Sequence, residues 1–189
     1  MNYISAKTIY TGKKVLSNAH LLFNGKKISS ISKTKSGRNL GKFDVLTPAF
    51  IDPHSHIGME RAGEPNTEGE ANEHQDAILL LTDALDSIQM DDKALKDAVE
   101  MGVLYSCVMP GSGNIIGGLS AVIRNYAASS TDALVTRGGL KGAFGFNPMK
   151  TNAWKGKRPT TRMGAVAMLR SRLDEVRQKI QKYRKARGS

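Results

Sequence analysis

Over the first 47 residues the apolar positions recur in short runs broken by turn residues. Residues 3–10, 19–23 and 27–31 alternate apolar and polar side chains, and they are separated by Thr11-Gly12 and Asn24-Gly25. Asn-Gly between alternating segments is a strong hairpin signal. Residues 1–47 are therefore expected to form a small β unit. From residue 48 the pattern lengthens. The apolar run Pro48-Ala49-Phe50-Ile51-Asp52-Pro53 predicts a buried strand, and Asp91-Asp92 can cap a helix through Leu95, Ala98 and Val99 that Gly102 ends. Residues 103–109 then predict a second strand, and a glycine-rich loop follows at residues 111–118. Residues 120–127 fit strand or helix equally, residues 140–146 predict a third strand, and Thr160 or Thr161 can cap a long final helix. Strands alternating with helices place residues 48–189 in the α/β class.

Charge changes this picture only towards one end. The formal net charge of +11 invites a nucleic-acid reading. Yet residues 1–149 hold 15 basic and 15 acidic side chains, whereas residues 150–189 hold 13 basic and 2 acidic. The excess belongs to this tail, which is mostly one helix where Val166, Leu169, Leu173, Val176, Ile180 and Tyr183 recur at alternating steps of three and four. The solvated outer side of a packed helix accounts for the pattern. A coiled coil and non-specific phosphate binding are the competing readings, the latter weakened by low aromatic content and the lack of a nucleic-acid motif. The single cysteine, Cys107, excludes an intramolecular disulfide. No run approaches a membrane span and the N-terminus lacks a signal-peptide pattern, so a cytoplasmic location is expected and a membrane partner is not.

The candidate chemistry begins at His54-Ser55-His56, where the first strand of the α/β region opens into a loop. Residues two apart on a strand share a face, with Cα atoms roughly 7 Å apart. Two imidazoles so placed can hold one metal ion, although a catalytic zinc usually takes three protein ligands and keeps one open position. Two unrelated surface histidines are the competing reading. Against it, two of only four histidines fall together at a strand end. Asp52 lies on the same face, where a carboxylate can support an imidazole from behind. The loop Gly111-Ser112-Gly113-Asn114-Ile115-Ile116-Gly117 matches neither a dinucleotide fingerprint nor a P-loop. It reads as a tight turn that lets the Gly113 backbone and Asn114 approach a substrate, or as turn geometry alone. Between these features lie Glu60, Glu64, Glu68, Glu70, Glu73, His74 and Asp76, a solvated loop or a source of further ligands.

The stretch Leu46-Thr47-Pro48-Ala49-Phe50-Ile51-Asp52-Pro53-His54-Ser55-His56-Ile57-Gly58 resembles the first barrel strand of the amidohydrolase superfamily. Residues 110–118, 139–148 and 161–164 resemble, in order, its imidazolonepropionase-related branch, although Phe146 stands where the related Gly-x-Asn-Pro segment carries a polar residue. The resemblance implies a TIM-like (β/α) barrel over residues 48–189 and part of a β-sandwich over residues 1–47. A complete barrel takes about 250 residues, so the expectation is a truncated barrel holding three strands.

The resemblance further implies hydrolysis of a C–N bond in a small molecule, a cyclic amide among the options. A divalent metal, zinc foremost, would sit on His54 and His56. In such enzymes the other ligands are histidines of middle strands, and the catalytic base is a late aspartate, which would lie beyond residue 189. A fragment inactive alone is expected. The alternatives are a noncatalytic subunit of a split amidohydrolase, completed by another chain or an oligomer, and a basic nucleic-acid-binding module.

Overall fold

The computed structural model describes residues 1–150 and 156–188. The chain divides into two units, Met1–Ala49 and Phe50–Ser189. In the first unit, β1 (Asn2–Tyr10), β2 (Val15–Asn24), β3 (Lys27–Ser32) and β4 (Arg38–Leu46) form one sheet in the order β3-β2-β1-β4. The turns fix the register. The Thr11 hydroxyl accepts the Lys14 amide at 3.0 Å, and Gly12 adopts φ +81°, a conformation that glycine enters without steric cost. Ala6, Ile9 and Ala19 form the core with Leu16, Ile31 and Leu46 packed against them. Strand β4 escapes the hydrophobic pattern because its side chains are mostly exposed. It lies at the sheet edge, parallel to β1, where Arg38, Asn39, Lys42 and Asp44 can face water.

The second unit holds β5 (Phe50–Ser55), α1 (Lys93–Glu100), β6 (Val103–Val108), β7 (Ile116–Arg124), α2 (Ser130–Ala133), β8 (Leu134–Gly142) and α3 (Arg162–Ala186). The result is a mixed α/β fold with two four-stranded sheets, the second ordered β5-β6-β7-β8. Asp92 caps α1 by accepting the Ala94 amide at 3.0 Å, and Gly102, at φ +86°, turns the chain into β6. This β5-α1-β6 unit pairs its strands in parallel. Thr161 caps α3 through the Gly164 amide at 3.1 Å.

The sheet corrects two expectations. Of residues 120–127, residues 120–124 are strand, the end of β7, which runs antiparallel to both β6 and β8. Only β5 and β6 therefore pair in parallel, not three strands. The reason is connection length, since a parallel return needs a crossover of a dozen or more residues. Only residues 109–115 separate β6 from β7. The third strand also begins earlier than expected, at Leu134, and ends at Gly142, which leaves Phe146 outside it and 71% exposed.

The core of this unit joins Met59, Ile88, Leu95, Val108, Ala121 and Ile123. Leu95 anchors α1 and is 1% exposed. Leu95→Ala is expected to lower stability by about 2–5 kcal/mol, read as a reduced urea midpoint. An unchanged midpoint would remove α1 from the core.

Candidate metal centre

Strand β5 is an edge strand, which is why it tolerates Pro53, a residue with no N–H to give to a ladder. Its pairing with β6 shifts between Asp52 and Ser55. Asp52 Oδ1 accepts the His54 backbone N–H at 3.0 Å across that shift. The carboxylate thus braces the main chain that carries His54.

Beyond the shift the two chains pair again, with the Met109 N–H donated to Ser55 O at 3.0 Å. That bond sets Met109 beside His56, whose Nδ1 lies 2.7 Å from the Met109 carbonyl oxygen. A carbonyl only accepts, so Nδ1 carries the proton, and in the neutral ring Nε2 holds the lone pair. A backbone carbonyl fixing the tautomer of a histidine is the usual support behind a metal ligand. The His54 ring stands edge-to-face to His56 with centroids 5.6 Å apart and an interplanar angle of 85°.

His54 Nε2 lies 3.3 Å from Lys141 Nζ on β8. The ammonium donates and the imidazole accepts, which assigns the proton of neutral His54 to Nδ1. Burial without a carboxylate partner holds the Lys141 ammonium below the usual lysine range. β5 and β8 are opposite edges of the sheet, three interstrand spacings apart, or about 14 Å if the sheet were flat. The contact requires both side chains to reach over the same face of the sheet. Sequence spacing carries no signal for Lys141, because its proximity is made entirely by the sheet.

Among the described residues no group of three or more His, Cys, Asp or Glu side chains is placed to hold a metal ion. Glu64 pairs with Arg61 at 3.1 Å, Glu73 accepts the His74 and Gln75 amides, and Asp76 accepts the Ala77 amide.

Gly113 and Asn114 also have protein partners. The Gly113 N–H reaches Asn72 Oδ1 at 2.7 Å, and the Gly113 carbonyl accepts from Arg158 Nη2 at 2.6 Å. Asn114 is 1% exposed and donates both amide hydrogens, to the Glu73 and Asp76 carbonyls, each at 2.8 Å. These groups latch the 71–77 segment to the turn between β6 and β7. Arg158, whose guanidinium burial pushes down to about 10, and Asn72 are members of this latch that sequence reasoning missed. A cavity of about 330 Å³ beside it is lined by Asn72, Glu73, Asp83 and Gly117, and not by the histidines.

The comparisons with known proteins bear on this geometry. No family model matches the chain. It is 29% identical over 131 residues to the amidohydrolase tasK of Hapsidospora irregularis, a match covering 63% of this chain and 13% of that protein. It superposes on the crystal structure of an amidohydrolase from Thermotoga maritima MSB8 with a TM-score of 0.83 and 25% identity, covering all of this chain and 51% of that one. Both likenesses support the amidohydrolase superfamily. The chain spans about half the length of the Thermotoga amidohydrolase and a smaller share of tasK. No helix among the described residues is long and apolar enough to cross a membrane.

The latch has a direct test. Asn114→Ala leaves two carbonyls without their donor and is expected to cost about 1–3 kcal/mol. It should also speed hydrogen exchange at the Ile115 amide, which bonds to Ala77 O at 2.8 Å. Unchanged stability and exchange would release Asn114 for a role towards a ligand.

Proposed function

We propose that this chain supplies the first two metal-ligating histidines of a metal-dependent amidohydrolase acting on a C–N bond of a small amide, cyclic amides among them. The observation that carries the reading is the His56 Nδ1 to Met109 carbonyl bond, which leaves Nε2 as a lone pair beside the edge-to-face ring of His54. The donor set fits a divalent ion in kind, since neutral imidazole nitrogens suit zinc and its neighbours. In number it is incomplete. A divalent ion held there would polarise the amide carbonyl and activate water for hydrolysis.

The protein's own parts have separable roles. His54 and His56 bind, the Met109 carbonyl holds the His56 tautomer, and Asp52 fixes the strand that carries His54. Lys141 occupies the His54 lone pair, so ammonium and metal compete for one nitrogen. The reach of Lys141 over the sheet supports a curved wall of the kind a barrel has, which is the basis for reading residues 48–189 as part of a TIM-like barrel. The third ligand and the carboxylate base are assigned to polypeptide outside the described cluster. An imidazolonepropionase-related substrate remains part of the proposal, resting on the branch-level motifs.

Metal analysis of the purified chain beside a His54→Ala, His56→Ala double variant tests the assignment. The wild-type chain is expected to hold zinc in a weak, roughly one-to-one site, as a two-ligand centre allows, and the double variant to hold none there. Equal metal content removes the reading, and amide turnover by this chain alone would place the base within it.

Lys141→Met is expected to raise zinc affinity about tenfold, on the scale of one hydrogen bond to a charged group. Competition against a chromophoric chelator measures it. Unchanged affinity would mean that the lysine leaves His54 without cost.

A further inference from the structure

Helix α3 packs against the rest of its unit only near its N-terminal end. Ala165 is fully buried, with Met168 and Leu169 against the same cluster. From Arg170 onward every described residue of the helix is exposed. Four large apolar side chains lie in that stretch: Leu173, Val176, Ile180 and Tyr183, 41–59% exposed. Their steps of three, four and three continue those of Val166 and Leu169, so all six fall on one narrow stripe. A stripe this narrow has the geometry of a seam between two helices and not of a face that lies in a membrane.

The flanks of the seam decide what it can meet. In heptad terms Val166, Leu173 and Ile180 take position a, and Leu169, Val176 and Tyr183 take position d. The flanking e positions are then Arg170, Arg177 and Arg184, and the g positions just before Leu173 and Ile180 are Arg172 and Lys179. All five are basic. The two acidic residues of the helix, Asp174 and Glu175, lie off the seam and pair with Arg177 and Arg172 within the helix, at 3.3 and 3.0 Å. Side chains at e and g set partner choice in helix pairs. A second copy would oppose Arg and Lys to Arg and Lys whether parallel or antiparallel, so self-pairing is opposed by like charge in both orientations. Phosphate binding would use the charges and leave the four apolar anchors in water.

We propose that the outer part of α3 is a docking surface for an acidic amphipathic helix of a partner protein, seated on Leu173, Val176, Ile180 and Tyr183 with carboxylates facing the basic flanks. This surface is separate from the histidine pair and does not depend on the reading of that site. Its specificity comes from both terms at once, since the apolar seam supplies burial and the flanks reject partners of the wrong sign.

The test titrates the full chain into a labelled synthetic helix with leucine at its seam and glutamate on both flanks, read by fluorescence anisotropy. Saturable binding that weakens with added salt is expected, and the same helix with lysine flanks should not bind. Ile180→Asp should weaken binding by about tenfold or more, and Arg177→Glu with Lys179→Glu should abolish the preference for glutamate flanks. Ile180 is already exposed, and circular dichroism checks that each variant keeps its helix. No saturable binding, or equal binding of the two helices, overturns the proposal. So does self-association in sedimentation that Ile180→Asp abolishes, which would make a second copy the occupant. Retention on anionic vesicles or duplex DNA, unaffected by Ile180→Asp and without binding of the glutamate-flanked helix, would reduce the surface to its charge.

Discussion

One hydrogen bond organises the candidate centre: His56 Nδ1 to the carbonyl of Met109. It exists because β5 and β6 run parallel and resume their pairing at Ser55 and Met109 after the irregularity around Pro53. The parallel pairing in turn requires the long β5-α1-β6 crossover, held in place by the Asp92 cap and Leu95 in the core. A tautomer of one imidazole is thus determined by the topology of a sheet. If β6 had followed β5 through a short turn, the strands would be antiparallel and a different group would stand beside His56.

The pair is nevertheless not symmetric. His56 is half-buried and tied to main chain, whereas His54 is exposed and its lone pair faces an ammonium. The main-chain bond leaves His56 ready to bind a cation, while the lysine contact must break before His54 can do so. Lys141 reaches His54 across the width of the sheet, from the opposite edge strand.

Local signals were legible wherever a short segment specifies its own geometry. The two hairpin turns of the first unit, the α1 cap at Asp92, the stop at Gly102 and the Thr161 cap all depend on neighbours within a few residues, and the structure has each of them. For the histidine pair only the closeness in sequence is local: His54 lies on β5, which ends at Ser55, and His56 follows it. What could not be read locally was everything the sheet brings together from afar. Lys141 lies on the opposite edge strand, and Asn72 and Arg158 meet at Gly113 from either side of it in sequence. The direction of β7 was legible in principle, because the connection before it is too short for a parallel return. Strand β4 was hidden by its polar, exposed edge position.

Two separate requirements converge on β5. Parallel pairs are normally covered on both faces, yet Phe50 and Ile51 are 55% and 64% exposed and sit a few residues before the histidines. Metal coordination has its own unmet requirement at the end of the same strand, a third donor. Polypeptide lying along the open edge of β5 would satisfy both, covering the apolar side chains and bringing a donor towards His54 and His56. Under the proposed metal reading the two needs have one answer, whereas for a chance pair of surface histidines the exposed apolar strand beneath them would have no connection to the rings above it.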